Sequence, residues 1–122
     1  MKLQLIIEKA DNSFWGRVNY ASNLVVDSAK TIPSLEKKLK KALTDFHDLK
    51  DVVFDHTYDL TVFFEQFSFF NQSKIAELAG LNPGLLRQYA SGVKHPSREQ
   101  ANKIQVAIRE LANTLKTVKI YA

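Results

Sequence analysis

The spacing of the hydrophobic residues along this chain constrains its fold more than any other feature. Leu3, Leu5 and Ile7 alternate with polar residues, which is the period of a half-buried strand. Residues 10–13 and 21–23 have the composition of tight turns. The chain up to Ser28 therefore predicts three short strands in an antiparallel meander.

One helix and a fourth strand complete the N-terminal half. After Pro33, which suits the first turn of a helix, apolar residues recur at spacings of three and four. Residues 52–54 follow as a fourth strand, and residues 55–59 have the composition of its exit loop. Residues 1–59 thus predict the order β-β-β-α-β, with the helix on one face of a small sheet. The helical stripe consists of Leu35, Leu39, Ala42, Leu43 and Phe46.

From Leu60 onward the helical period dominates. Two compact helices and a long final helix are predicted, and the long one begins at a capping box formed by Ser97 and Gln100. Residues 118–121 alternate and are β-branched, which predicts a terminal edge strand. Aromatic core residues are expected at Phe63, Phe67 and Phe70, and the stripe of the long helix at Ala101, Ile104, Ile108, Leu111, Leu115 and Val118. The predicted fold class is α+β, with a small β-β-β-α-β domain over residues 1–59 and an all-α domain over residues 60–122.

Charge and composition narrow the function classes. The net charge is +4, and all of the excess lies in residues 60–122, which carry eight basic and four acidic side chains. Such an asymmetry favours a polyanionic partner for the second half. The absence of cysteine excludes disulfides, thiolate zinc sites and iron–sulfur clusters. No apolar run approaches the about 20 residues of a membrane span, and we expect a cytoplasmic protein with no membrane association and no cofactor.

Residues 72–91 fit a helix-turn-helix, which is the strongest functional signal in the chain. Asn71 and Asn82 can each cap a helix, and Pro83 then occupies the first helical position. Gly80 tolerates the positive φ that the turn needs, and Ala76 is small enough for a close helix crossing. The inward apolar positions are Ile75, Ala79, Leu81, Leu86 and Tyr89.

Residues 60–116 resemble the phage-repressor-like helix-turn-helix family. The resemblance implies that the helix after Gly80 enters the major groove of double-stranded DNA. Because Pro83 and Gly84 have no side-chain donors, base reading is expected from Arg87 and Gln88, which suit guanine and adenine respectively. Gln72 and the residues after the recognition helix are expected on the DNA backbone. The full set of candidate DNA-binding residues is Gln72, Ser73, Pro83, Gly84, Arg87, Gln88, Ser91, Lys94 and His95.

The order of elements over the whole chain is similar to that of the HicB antitoxin family. This resemblance implies a partial RNase-H-like N-terminal half that masks a toxin ribonuclease, and a C-terminal half that binds operator DNA and dimerises. The chain departs from that family's Pro-Asp-Leu-Pro-Gly-like stretch, because residues 19–24 read Asn-Tyr-Ala-Ser-Asn-Leu. A stand-alone transcriptional regulator without a toxin is therefore kept as an alternative.

A cluster of histidine and aspartate residues is the only candidate for catalysis. An RNase-H-like fold uses paired carboxylates with metal ions, so a degenerate metal-dependent nuclease is the less favoured alternative. However, the cluster spans a helix end, a turn and a strand end, where Asp is expected as a capping and turn residue. We therefore predict no enzyme activity and no metal site. The cluster consists of His47, Asp48, Asp51, Asp55, His56 and Asp59.

Two surfaces of the C-terminal half are candidates for a homodimer contact. One is the apolar stripe of the long final helix, and the other is the alternating segment 118–121. The terminal segment is favoured, as a strand added to the sheet of its own chain or of its partner.

Overall fold

A computed structural model describes residues 1–122 and has a mixed α+β architecture, as the sequence predicts. Four strands form one sheet, and five helices accompany it. The chain divides into two compact units, Met1–Phe63 and Phe64–Ala122. The elements in chain order are β1 (Lys2–Ala10), β2 (Ser13–Tyr20), β3 (Asn23–Ala29), α1 (Ile32–His47), β4 (Val53–Tyr58), α2 (Leu60–Gln66), α3 (Gln72–Ala79), α4 (Pro83–Ser91) and α5 (Arg98–Leu115).

The sheet has the strand order β3-β2-β1-β4. The first three strands form the predicted antiparallel meander, and β4 pairs with β1 in parallel. Both hairpins turn through two residues with positive φ, Asp11 with Asn12 and Ala21 with Ser22. Two successive positive φ values are typical of the turn whose twist matches that of the flanking strands. In this strand order, β3 and β4 are the two edges of the sheet.

The core of the first unit lies between one sheet face and α1. Leu35, Leu39 and Leu43 of α1 are fully buried, together with Leu5 and Ile7 of β1. Their spacing of four residues places the leucines in one row along the helix.

The predicted helical stripe is wrong at its end, because Phe46 is 81% exposed. The row continues in steps of four from Leu43 to the half-buried His47, whose ring meets the Tyr20 ring edge-on at 5.4 Å between centroids. Phe46 lies off this row and faces solvent.

The exit loop predicted after the fourth strand is also wrong. β4 continues to Tyr58, paired with β1 from the Lys2–Val53 pair to the Ile7–Tyr58 pair. Asp55 and Thr57 are exposed within it. Polar side chains at an edge strand do not end the strand, because one of its faces and its free side meet water.

α2 is shorter than the helical period of the phenylalanines predicts. At the start of α2, the Asp59 carboxylate accepts the Val62 N–H at 2.8 Å. The helix ends at Gln66. Phe67 and Phe70 therefore lie in a turn, closed by a bond from the Phe70 N–H to the Phe67 carbonyl at 3.2 Å. Both are half-buried, so the aromatic cluster is only in part the expected core.

α5 begins as predicted but its capping box is incomplete. The Ser97 Oγ accepts the Gln100 N–H at 3.2 Å, whereas the buried Gln100 Oε1 has no partner. Ile104 and Ala107 are buried, and the stripe becomes exposed at Leu115.

The C-terminal segment adds no strand to the sheet of its own chain, contrary to one form of the prediction. Residues 118–122 are irregular and exposed, and the described sheet has four strands. A strand needs a neighbouring edge for its backbone groups, and the segment has none within its own unit. None of the five helices combines the length and the apolarity needed to cross a membrane.

Candidate nucleic-acid interface

The predicted capping residues define the bounds of α3. The Asn71 Oδ1 accepts the Lys74 N–H at 3.2 Å, which satisfies one of the unpaired donors at the start of the helix. Gly80 ends the helix with a φ of 71°. The Leu81 N–H then donates to the Ala76 carbonyl at 2.9 Å, so the turn closes back onto α3. The sequence prediction of this turn is confirmed.

α4 starts after a turn of three residues. The Asn82 Oδ1 accepts the Gly84 N–H at 2.8 Å, and Pro83 occupies the first helical turn, as predicted. The helix ends at Ser91, and Gly92 follows with a φ of 83°. Both ends of α4 are thus fixed by residues whose chemistry suits those positions.

Side chains from α3, α4 and α5 form the core beneath this pair. Ile75 and Ala76 of α3, Leu86 and Tyr89 of α4, and Ile104 of α5 are all buried. α3 packs against both α4 and α5. Ala76 has no exposed surface, and its small side chain permits close approach of the helices. The predicted inward positions Ala79 and Leu81 are half-buried.

Arg87 and Gln88 are exposed on the outer surface of α4, as base-reading residues must be. The Arg87 side chain lies towards the start of the helix, because a Cβ placed on Gly84 would be 3.7 Å from its Nη2 atom. The same Cβ would be 3.1 Å from the Asn82 Oδ1. Gly84 therefore leaves room for the Asn82 cap, whereas the Arg87 guanidinium would be at an ordinary contact distance from such a Cβ. The sequence marked Gly84 only as lacking a donor, and the order Asn-Pro-Gly at residues 82–84 was the available signal for this close approach.

The residues after Tyr89 are tied to the end of α4. The Gln88 carbonyl accepts the Ser91 hydroxyl at 3.2 Å and the Lys94 N–H at 3.2 Å. Ser91 is predicted in the loop, but it is the last residue of the helix, because the residue that ends α4 is Gly92. Lys94 and His95 lie in the loop and are exposed.

Gln72 and Ser73 occupy the first turn of α3. Gln72 is half-buried and Ser73 is exposed. The first turns of α3 and α4 contain no acidic residue. The partial positive charge at each helix start is therefore not neutralised locally, which favours an anion there.

The surface from α3 to the start of α5 is basic. Residues 78–98 contain no Asp or Glu. Glu77 is the nearest preceding carboxylate, and it lies 3.4 Å from the Lys74 Nζ. Neither Arg87 nor Lys94 forms an ion pair within the chain, so both charges remain available to an outside anion.

The histidine and aspartate residues of the N-terminal half are dispersed over separate structural roles. Asp48 ends α1 in a left-handed conformation, and Asp51 also has a positive φ of 55°. Besides Val62, the Asp59 carboxylate accepts the Lys9 N–H at 3.3 Å. No group of three or more His, Cys, Asp or Glu side chains is arranged to hold a metal ion.

His56 contacts Glu36 and stacks on Tyr58. The His56 Nε2 faces the Glu36 Oε1, and the rings of His56 and Tyr58 are 5.8 Å apart between centroids at an angle of 11°. Burial and the negative charge of Glu36 raise the pKa of the Tyr58 phenol above its ordinary value. These contacts of His56 with Glu36 and Tyr58 join α1 to the β4 edge of the sheet.

Comparison with protein-family models, with curated proteins and with solved structures gives no match to this chain. The proposal of a function therefore rests on the geometry and charge of residues 71–98.

Proposed function

We propose that the chain is a DNA-binding regulator, which contacts double-stranded DNA with a helix-turn-helix formed by α3 and α4. The observation that carries this proposal is the exposed surface of α4, where Arg87 and Gln88 stand on a helix capped at both ends and no carboxylate is near in sequence. A helix of this kind fits the major groove, which admits one α-helix and presents a distinct donor and acceptor pattern for each base pair.

The side chains of this surface divide into base-reading and backbone-binding groups. Arg87 offers a planar pair of donors for guanine O6 and N7, and Gln88 offers a donor and an acceptor for adenine. The position of Arg87 supports this assignment, because its guanidinium lies near Gly84, over the start of the helix. Gln72, Ser73, Ser91, Lys94 and His95 then contact phosphates, which set affinity and register.

Operator binding by one such helix pair is weak, so the active form is a homodimer. Two-fold symmetric operators place the two recognition helices about 34 Å apart, one turn of DNA. Leu115 and the segment 118–121 expose apolar side chains at the end of the C-terminal unit, and these support a contact between two copies of that unit.

The element order supports a HicB-like antitoxin, with a meander, a helix and a parallel fourth strand ahead of the helix-turn-helix. In that case the N-terminal half masks a toxin ribonuclease. A stand-alone regulator is the alternative. A short basic protein encoded beside this one, which co-purifies with it, is expected for the antitoxin and not for the stand-alone regulator.

The DNA-binding proposal is tested with three single substitutions and a set of duplexes that includes a selected operator. Arg87→Ala is expected to lose about 1–3 kcal/mol of discrimination for the base that it reads. Lys94→Ala is expected to weaken all duplexes alike. Lys37→Ala removes the same charge from an exposed position of α1 and serves as the control. Equal effects of the three substitutions on all duplexes would contradict the assignment of α4 as the recognition helix.

A further inference from the structure

β3 is an edge strand that is protected against pairing only at its C-terminal end. Its seven residues include no proline, no lysine and no bulge, and Asp27 is its only charged side chain. Leu24 and Val26 point away from α1 and are 59% and 48% exposed. Edge strands of monomeric proteins are normally blocked by proline, lysine or a bulge, because an open edge offers backbone groups to another strand.

The backbone groups at the C-terminal end of this edge are already occupied. The Ser28 N–H donates to the Asp27 Oδ1 at 2.8 Å, and the Ser28 carbonyl accepts the Lys38 Nζ at 2.9 Å. Both bonds lie on the side away from β2. Because successive residues of a strand point their backbone groups to opposite sides, Leu24 and Val26 also present theirs to the free edge. No bond within the chain uses them.

These free groups are self-complementary about Val25. A two-fold axis at Val25 pairs Leu24 with Val26 of a second copy and Val26 with Leu24 of that copy. Each pair exchanges two hydrogen bonds, so the four free N–H groups and the four free carbonyls of the two edges are all used. An axis at Val26 would instead place Leu24 opposite Ser28 of the second copy, whose groups are occupied. The positive φ of Ser22, 64°, ends the strand beyond the paired segment.

We infer that β3 pairs antiparallel with β3 of a second copy, about an axis at Val25, so that two sheets join into one of eight strands. Leu24 of each copy packs on Val26 of the other, on the sheet face opposite α1. Charge favours a second copy as the occupant, because residues 1–59 carry nine basic and nine acidic side chains and are neutral. In this register each Asp27 faces Asn23 of the second copy, not Asp27.

This contact is independent of the proposed DNA binding. It uses residues of the first unit, whereas the helix-turn-helix and the proposed C-terminal contact use residues of the second. Loss of DNA binding in the Arg87 variant therefore leaves the β3 contact intact, and loss of the β3 contact does not remove the DNA-binding surface.

The register is tested with one cysteine in a chain that has none. Val25→Cys places two thiols across the axis in a pair without backbone bonds, with Cα atoms about 4.5 Å apart, which a disulfide can span. Val53→Cys, at a position of 59% exposure on the opposite edge, is the control. Under mild oxidation we expect about tenfold more cross-linked dimer from Val25→Cys, because a disulfide needs this geometry. Equal cross-linking of the two variants would overturn the register.

The contact itself is tested by measuring the molecular mass in solution. This measurement does not use the Val25→Cys variant, so it also tests the proposal if that variant fails to fold. In a chain truncated by residues 117–122, light scattering at micromolar concentration should give a dimer. Leu24→Lys should convert this dimer to a monomer, and Val53→Lys should not. A monomeric truncated chain would overturn the proposal, as would a dimer that survives Leu24→Lys. A Val25→Cys cross-link that forms only after the truncation would assign the edge of the full chain to the C-terminal segment, and would also overturn it.

Discussion

Gly16 lies where β2 passes beneath α1, and replacing it with alanine tests how tightly this core is packed. A Cβ at this position would be 2.9 Å from the Leu35 Cδ2, 2.9 Å from the Leu39 Cδ1 and 3.1 Å from the Leu5 Cδ1. All three leucines are fully buried, so none can rotate into free space. Overpacking of this kind costs about 1–3 kcal/mol. Alanine also restricts the unfolded chain more than glycine does, which stabilises the folded state by about 0.4–1 kcal/mol. Taking the middle of each range, we therefore expect Gly16→Ala to lower the free energy of unfolding by about 1.3 kcal/mol.

The assay is urea denaturation followed by the fluorescence of Trp15, the single tryptophan, which belongs to the same strand. The midpoint should fall while the slope stays constant. Asn19→Ala, on the exposed face of β2, is the control and should change stability by less than about 0.5 kcal/mol. Combining Gly16→Ala with Leu39→Ala should cost less than the sum of the two single changes, because the new methyl group fills part of the cavity. An unchanged or raised midpoint for Gly16→Ala, or strict additivity, would refute this reasoning.

Three further outcomes are expected. The raised pKa of Tyr58 means that its neutral form is favoured by folding, so the free energy of unfolding should fall as the pH rises from about 10 through the folded-state pKa; in a pH series, Tyr58→Phe should remove this loss. Asp51→Asn and Asp55→Asn should leave stability within about 0.5 kcal/mol and DNA binding unchanged; a Mg²⁺-dependent nuclease activity that these variants lose would contradict a non-catalytic N-terminal half. Deleting residues 117–122 in the Leu24→Lys background should reduce the mass from two chains to one and lower operator affinity; a dimer that persists would reject the C-terminal contact.

Local chemistry was sufficient to predict most elements of this fold. Turn residues, caps and hydrophobic period predicted the meander, α1, the bounds of α3 and the start of α4, because each of these depends on neighbours within a few residues. Asn71, Gly80 and Asn82 perform the roles that their side chains suggest. The extent of β4 was not predicted, because it depends on contacts distant in sequence. β4 extends through Asp55 because it pairs with β1, which lies about fifty residues earlier.

The candidate site was predictable as a set of residues but not as an arrangement. Charge and helix position predict Arg87 and Gln88 as base-reading residues, and the structure shows that both are exposed on α4. The sequence did not predict that Gly84 leaves room for the Asn82 cap, because that depends on where the Asn82 side chain lies at the start of the helix. The open edge at Leu24 and Val26 could not be foreseen either, since strand order decides which strand is left unpaired.

The affinity for duplex DNA as a function of salt concentration tests the central claim most directly. Each phosphate neutralised by a Lys or Arg side chain contributes about −0.9 to the slope of log affinity against log salt. Binding by the surface around α4 predicts a steep fall in affinity with salt, and a slope that becomes shallower by about one unit in Lys94→Ala. An affinity that does not change with salt, or the absence of binding to any duplex at low salt, would contradict the account.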